Sequence, residues 1–171
     1  MKIFFLGLPG SGKTTLARAV AKSLDISFID LDWEIEQAAG ISIQAIFKKN
    51  GEEMFRKMEA AQLKRWCASP IDFVMATGGG TPCFSDNLEL LNKSGTTFFM
   101  DVPSQVIAKR LLKGNPQTRP LFAGTHPEEL KDKIEFMRSQ RIAFYRQAHH
   151  TIGEETQIDD LLVKIRKEYP Q

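Results

Sequence analysis

Gly7-Leu8-Pro9-Gly10-Ser11-Gly12-Lys13-Thr14 matches the phosphate-loop pattern GxxxxGK[ST] at every fixed position. An apolar run at 3–6 precedes it and predicts a buried strand, and residues 13–24 show helical spacing of apolar side chains. Glycines in such a loop allow the backbone to come close to phosphate, so that N–H groups and the helix N-terminus face the anion. The pattern therefore predicts a nucleoside triphosphate site at Gly10, Ser11, Gly12, Lys13, Thr14 and Thr15.

Two side chains of this loop are expected to carry chemistry. Lys13 can reach the β and γ phosphates, which makes it a candidate catalytic residue. The Thr14 hydroxyl suits direct ligation of Mg²⁺. The sequence contains no NKxD motif of the kind that selects GTP, so the expected triphosphate is ATP.

Short apolar runs alternate with helical patterns along the rest of the chain. Further strands are predicted at 27–30, 73–77, 96–102 and near 151–152, and further helices at 32–39, 43–49, 52–66, 85–93, 104–113, 127–147 and 158–169. This alternation predicts an α/β, three-layer P-loop fold: a five-stranded parallel sheet with helices on both faces. Ligands of such sheets bind beyond the carboxyl ends of the strands.

Size and charge limit the possible partners. The 171 residues fit a single domain, 1–171, and a net charge of +2 does not suggest nucleic acid as a partner. Residues 109–146 hold nine Lys or Arg against four Asp or Glu, which suits a small, highly anionic ligand. We expect a monomer that binds small molecules.

Cysteine, histidine and apolar residues exclude other classes. Cys67 and Cys83 form no CxxC pair, so neither a disulfide scaffold nor a zinc site is expected. The three histidines, at 126, 149 and 150, show no ligand spacing and are expected at the surface. No apolar run approaches the length of a membrane span or a signal peptide, which predicts a cytoplasmic protein without a membrane partner.

Five further motifs follow the phosphate loop in order. They are Asp30-Leu31-Asp32, Phe55-Arg56-x-x-Glu59, Gly78-Gly79-Gly80, Thr118-Arg119-Pro120-Leu121 and Arg141-x-x-x-Tyr145. In order and spacing, from residue 2 to about 149, the chain resembles the shikimate kinases, whose fold is similar to that of nucleoside-monophosphate kinases. The resemblance implies transfer of the ATP γ-phosphate to the 3-hydroxyl of shikimate, with Mg²⁺ as cofactor, in aromatic amino acid biosynthesis.

The resemblance also implies roles for charged residues. Arg56 and Arg141 would hold the shikimate carboxylate, because a guanidinium group can bind a carboxylate through two hydrogen bonds. Asp32 would accept hydrogen bonds from substrate hydroxyls and act as the candidate base, and Asp30 would complete the Mg²⁺ shell through water. The alternatives are an i,i+3 pair of Arg56 with Glu59, a solvated helix charge for Arg141 and a helix N-cap for Asp32.

A glycine triplet and a loop complete the expected site. Gly78, Gly79 and Gly80 would let the substrate approach the backbone closely. The loop at about 114–125 holds two glycines and two prolines and corresponds to the mobile lid of the family. Arg119 in this lid would bind ATP and neutralise charge as phosphate is transferred, and Arg110 would lie near the nucleotide.

Three alternative functions remain open from the sequence. They are a gluconate kinase, a nucleotide kinase and a nucleotide-binding protein without catalysis. A nucleotide acceptor would require base recognition, and a mere binder would not need the acceptor residues. Where the family commonly has an Asp-Thr stretch after the fifth strand, this chain has Ile152-Gly153-Glu154-Glu155, which leaves the adenine contacts open.

Overall fold

The computed structural model describes residues 1–113, 122 and 124–169. Its sheet is parallel and, within those residues, five-stranded, in the order β2-β3-β1-β4-β5. The strands are β1 (Lys2–Leu6), β2 (Ser27–Asp30), β3 (Phe73–Ala76), β4 (Thr96–Asp101) and β5 (His150–Gly153). The helices are α1 (Lys13–Leu24), α2 (Leu31–Ala39), α3 (Ile43–Cys67), α4 (Asn87–Ser94), α5 (Ser104–Lys113), α6 (Leu130–Tyr145) and α7 (Ile158–Glu168).

The central strand explains why the apolar run at 3–6 lacks alternation. β1 pairs with β3 on one side and β4 on the other, and its residues 3–6 are all buried. A parallel sheet covered on both faces buries both sides of each central strand, so apolar residues occur consecutively. The predicted α/β class is therefore confirmed.

Strand order determines where ligands can bind. The chain leaves β1 for β2 and β3 on one side and reaches β4 and β5 on the other. A crevice forms beyond the carboxyl ends of the strands where the order reverses in this way. The phosphate loop follows β1, and the glycine triplet follows β3, so both lie at that crevice.

Two helix starts differ from the sequence-based expectation. The helix predicted at 85–93, for which Ser85 is the serine that could cap it, begins instead at Asn87, because Ser85 and Asp86 adopt positive φ angles of 54° and 55° ahead of it. The N-cap of α2 is Asp30, whose carboxylate accepts hydrogen bonds from the backbone N–H groups of Asp32 and Trp33. The Asp32 side chain therefore does not serve as the cap of this helix.

The two helices predicted at 43–49 and 52–66 join into α3, with a break at Gly51. Gly51 has φ 77° and ψ 175°, a conformation that glycine adopts without the steric cost of a side chain. The break lets the first part of α3 change direction. The second part, with Arg56 and Glu59, lies against the glycine triplet at the crevice. The sequence therefore located the break correctly.

Helix α6 is attached to the carboxyl end of β4 and the start of α5. Arg138 forms an ion pair with Asp101 at 2.6 Å, and the Ser104 hydroxyl donates to the carboxylate of Glu135. These two contacts lie one turn apart on α6 and fix the helix against the sheet. The face that carries Arg141 and Tyr145 consequently lies beside the crevice.

Candidate active site

The phosphate loop is held by its own backbone and by Lys13. Gly10 and Gly12 have φ angles of 83° and 103°, which residues with a side chain rarely adopt. The buried Lys13 ammonium donates to the carbonyl oxygens of Gly7 and Leu8, both at 2.9 Å. Thr15 lies on the exposed face of α1 next to Thr14. The loop is thus closed around the amine expected to meet the β and γ phosphates.

Thr14 and Asp30 lie together although the sequence separates them by a whole helix. The Thr14 hydroxyl donates to the Asp30 carboxylate at 3.2 Å. The other carboxylate oxygen of Asp30 caps α2, which fixes the side chain. A hydroxyl and a carboxylate are oxygen ligands of the kind that Mg²⁺ prefers, so this pair fits the cation expected with ATP.

Asp32 lies at the bottom of the crevice, against the glycine triplet. A Cβ atom at Gly78 would lie 2.8 Å from the Asp32 carboxylate, so only glycine fits there. Burial, together with the nearby carboxylates of Asp30 and Glu59, raises the pKa of Asp32 to about 6, although the charge of Lys13 acts in the opposite direction. Asp32 can therefore exchange a proton close to neutral pH.

Arg56 is positioned by carboxylates and an aromatic ring. Its Nη1 donates to the fully buried Glu59 at 2.9 Å, and its Nε and Nη2 donate to the exposed Glu52 at 3.2 and 3.0 Å. The Phe84 ring centroid lies 4.0 Å from the guanidinium carbon. The Thr81 hydroxyl donates to Glu59 at 2.6 Å, which satisfies its second oxygen.

Arg56 therefore forms the expected helix pair and lies in the pocket at the same time. Glu52, Phe84 and Thr81 were not identified from the sequence. The i,i+4 spacing of Glu52 and Arg56 was the one available signal. The other two contacts join distant parts of the chain and leave no local pattern.

The glycine triplet is needed for space and not for unusual backbone angles, since none of its three residues has a positive φ. A Cβ atom at Gly79 would lie 2.5 Å from Pro9 of the phosphate loop. One at Gly80 would lie 2.8 Å from Arg56 Nη2. The triplet thus forms a thin wall between the phosphate loop and the Arg56 side of the crevice.

Helix α6 supplies the last wall. Arg141 Nη1 is buried and, within the described part of the chain, has no hydrogen-bond partner. Burial raises the pKa of the Cys83 thiol, and the charges of Arg141 and Arg56 oppose this rise, which places both guanidinium groups close to one side chain. The structure therefore brings Asp32, Arg56, the triplet and Arg141 to one pocket.

Arg110, expected near the nucleotide, lies beside the phosphate loop. Its Nη1 donates to the Ser11 carbonyl at 2.8 Å, and its Nη2 lies 4.0 Å from a carboxylate oxygen of Glu154. Glu154 belongs to the segment that departs from the family pattern. The predicted lid at about 114–125 and its Arg119 lie largely outside the described residues, Arg119 entirely so.

Among the described residues, no helix is both long and apolar enough to cross a membrane. Of the three histidines, His126 and His149 are exposed, as expected. His150 is half-buried, because its ring stacks on Phe98 and contacts the Glu168 carboxylate.

The phosphate loop, an acidic residue at the crevice and an acceptor pocket define an ATP-dependent kinase of the P-loop class. The family described as "Shikimate kinase" matches residues 9–169. A shikimate kinase of Bacteroides fragilis is 40% identical, with 98% of this chain and 95% of that protein aligned. One from Phocaeicola vulgatus is 44% identical over 87% of this chain and 84% of its own length.

Solved structures agree with the sequence comparison. Shikimate kinase from Bacteroides thetaiotaomicron has a TM-score of 0.89 at 35% identity, covering 100% of this chain and 99% of its own. Shikimate kinase from Acinetobacter baumannii in complex with shikimate has a TM-score of 0.87 at 31% identity, covering 99% and 95%. This chain belongs to the shikimate kinase family.

Proposed function

We propose that this chain transfers the γ-phosphate of ATP to the 3-hydroxyl of shikimate, giving shikimate 3-phosphate and ADP. The observation that carries the proposal is the convergence of Asp32, Arg56 and Arg141 on one pocket beside the phosphate loop. Two guanidinium groups and a carboxylate suit a small acceptor with one negative charge and several hydroxyls. The relative from Acinetobacter baumannii, solved with shikimate, supports this choice.

Arg141 and Arg56 are the proposed ligands of the shikimate carboxylate. Arg141 Nη1 is a buried donor without a partner in the described structure. Leaving such a group unsatisfied costs about 1–3 kcal/mol, and a bound carboxylate would remove that cost. The hydrogen bond to Glu59 orients Arg56, and the Glu59 carboxylate is in turn stabilised by Arg56 and by the Thr81 hydroxyl.

Asp32 is the proposed acceptor of the proton from the attacking hydroxyl. A base works best when its pKa lies near the working pH, and the pKa of Asp32 is raised to about 6. At pH 7 the carboxylate is mostly ionised and can take the proton as the oxygen attacks phosphorus. Gly78 lets the backbone of the triplet pack directly against the Asp32 carboxylate, where a Cβ atom would displace it.

The nucleotide side supplies charge compensation. Lys13 would contact the β and γ phosphates, and the residues from Gly10 to Thr15 would hold them. Thr14 would ligate Mg²⁺ directly and Asp30 through water, and the cation neutralises charge on the phosphates when bound. Arg119 of the lid is proposed to bind ATP and to stabilise the transferring phosphoryl group.

The remaining expectations stay predictions. They are a single domain over 1–171 with a lid at about 114–125, a monomeric state and a cytoplasmic location. Gel filtration with light scattering measures the oligomeric state directly.

The experiment that tests the function is an ADP-release assay with shikimate, quinate, gluconate and the common nucleoside monophosphates. Shikimate should stimulate ADP release far above every other acceptor. Equal turnover of gluconate would overturn the acceptor and leave the kinase class in place. The Lys13→Ala variant, assayed in parallel, measures background hydrolysis.

A further inference from the structure

The structure assigns a positioning role to Tyr145, a residue that the proposed reaction does not otherwise use. We propose that its hydroxyl fixes the peptide group between Gly79 and Gly80, so that the Gly80 N–H faces the acceptor and serves as a hydrogen-bond donor to it. The inference rests on the proposed function for the identity of the acceptor.

Tyr145 is held rigidly. Its side chain is fully buried, and its ring stacks on Phe99 with centroids 5.1 Å apart and an interplanar angle of 25°. The hydroxyl donates to the carbonyl oxygen of Gly79. Burial raises the pKa of this hydroxyl, so it remains a proton donor throughout the working range.

Peptide geometry transmits this contact to Gly80. The Gly79 carbonyl and the Gly80 N–H belong to one planar peptide group, and the described structure contains no cis peptide bond. In a trans peptide the C=O and N–H point in opposite directions. A hydrogen bond that holds the oxygen towards Tyr145 therefore turns the Gly80 N–H away from it.

The Gly80 N–H is a donor without a partner in the described residues. Gly80 is buried, while the neighbouring turn bonds run from Thr81 N–H to Gly78 and from Cys83 N–H to Gly80. Buried backbone N–H groups are rarely left unpaired. The Arg56 guanidinium, which lies beside Gly80, carries only donors and cannot accept a hydrogen bond from this N–H.

Contacts on the nucleotide side keep the peptide from shifting. Pro9 packs so closely on Gly79 that even a methyl group would not fit between them. Tyr145 and Pro9 therefore restrain the same residue, one from α6 and one from the phosphate loop. Loss of the Tyr145 hydroxyl would leave the Gly79 carbonyl unpaired and remove one of these two restraints, so the orientation of the Gly80 N–H would be less fixed.

The chain contains two tyrosines, and the second, Tyr169, provides a control. The Tyr169 hydroxyl also donates to a backbone carbonyl, that of Lys2, at 2.9 Å. The Tyr169 hydroxyl lies at the amino ends of β1 and β4, whereas the crevice lies at the carboxyl ends of the strands. Tyr169→Phe thus removes the same kind of bond far from the acceptor, together with two bonds that the hydroxyl accepts from Thr96.

The first test compares steady-state kinetics and thermal unfolding of Tyr145→Phe and Tyr169→Phe. We expect Tyr145→Phe to raise the KM for shikimate about threefold to tenfold and to leave the KM for ATP within about twofold, the range for one hydrogen bond. Tyr169→Phe should leave both constants within about twofold while lowering Tm at least as much as Tyr145→Phe does, since its hydroxyl makes three hydrogen bonds. Unchanged shikimate KM in Tyr145→Phe, or an equal rise in both variants, would overturn the positioning role.

The second test does not depend on the acceptor. In protein labelled with ¹⁵N-glycine, the Gly80 amide signal should move between wild type and Tyr145→Phe and stay in place in Tyr169→Phe. Shikimate should shift this signal strongly in wild type and weakly in Tyr145→Phe. If shikimate proves not to be the substrate, the ligand-free comparison still decides: an unmoved Gly80 signal in Tyr145→Phe would refute the inference.

Discussion

The phosphate loop and the acceptor pocket lie side by side but are assembled in opposite ways. The loop is one continuous segment that closes on itself through Lys13 and the carbonyls of Gly7 and Leu8. The pocket takes its residues from α2, α3, the turn after β3 and α6, elements that meet only in the folded chain. The phosphate-binding residues of the loop thus come from one local segment, whereas the residues that select the acceptor are brought together by tertiary structure.

The largest expected effect tests the loop. Lys13→Ala should lower kcat by at least about 10²–10³-fold, the usual loss for one electrostatic group in phosphate or oxyanion stabilisation. Shikimate affinity, measured by calorimetry without nucleotide, should change little because the acceptor pocket is separate. Lys22→Ala, an exposed lysine in the last turn of the same helix, is the control. A joint loss of kcat and shikimate affinity would show that the two regions are not independent.

The next effect tests the pocket. Arg56→Ala should weaken shikimate binding by about 2–5 kcal/mol, the loss for one partner of a desolvated charge pair, and leave ATP binding unchanged. Arg65→Ala, on an exposed face of the same helix, should affect neither ligand. Weaker ATP binding with unaltered shikimate binding would contradict the placement of the acceptor.

Arg56→Ala also removes the partner of the buried Glu59, which can unfold the protein. Arg56→Lys avoids this problem because it keeps the charge and loses only the planar geometry of the guanidinium group. We expect a smaller loss of shikimate affinity in Arg56→Lys than in Arg56→Ala, with Tm close to wild type.

The same contrast explains how much the sequence could predict. The strands, the break at Gly51 and the phosphate loop follow from local patterns, and the structure confirms them. The pairing of Thr14 with Asp30 and of Tyr145 with Gly79 joins residues from separate elements, which no local periodicity records. Resemblance to a family supplied the pocket residues, but not their supporting contacts.

The mistake at Ser85 has a physical cause. A serine before an apolar helix predicts a cap, but the cap requires extended backbone angles, and Ser85 and Asp86 have positive φ instead. Both residues belong to the turn between the 3₁₀ helix Thr81–Cys83 and α4, in which the Asn87 N–H donates to the Phe84 carbonyl. The conformation of this turn excludes the capping geometry that serine alone would favour.

A pH-dependent prediction concerns Asp32, which lies between the two regions. Its pKa is about 6 in the folded protein against 3.8 ordinarily, so the folded state binds more protons than the unfolded state between those values. Stability should consequently fall as pH rises from about 4 to above 6, and kcat/KM should rise with ionisation of the base. Asp32→Asn should then stabilise the protein at pH 7.5 by up to about 3 kcal/mol and abolish most activity.

Thermal unfolding of wild type and Asp32→Asn at pH 4 and pH 7.5 checks this expectation. The gain in Tm should be present at pH 7.5 and nearly absent at pH 4, where Asp32 is protonated in the folded state. Asp25→Asn, at an exposed turn, provides the comparison. Equal gains at both pH values would show that burial of the charged form is not the cause.

The smallest expected effect concerns Glu52, an exposed carboxylate that occupies two donors of Arg56. A shikimate carboxylate that binds Arg56 at those donors must displace Glu52. The binding free energy of shikimate is then weakened by the free energy of the exposed Glu52–Arg56 ion pair, about 0–1 kcal/mol. Glu52→Gln should therefore lower the KM for shikimate by about twofold to threefold and leave the KM for ATP unchanged. Glu53→Gln, which breaks the exposed pair with Lys57 one residue along the helix, should change neither. A higher KM in Glu52→Gln would mean that Glu52 orients Arg56 for the substrate instead of competing with it, and the pocket would then be as preorganised as the phosphate loop.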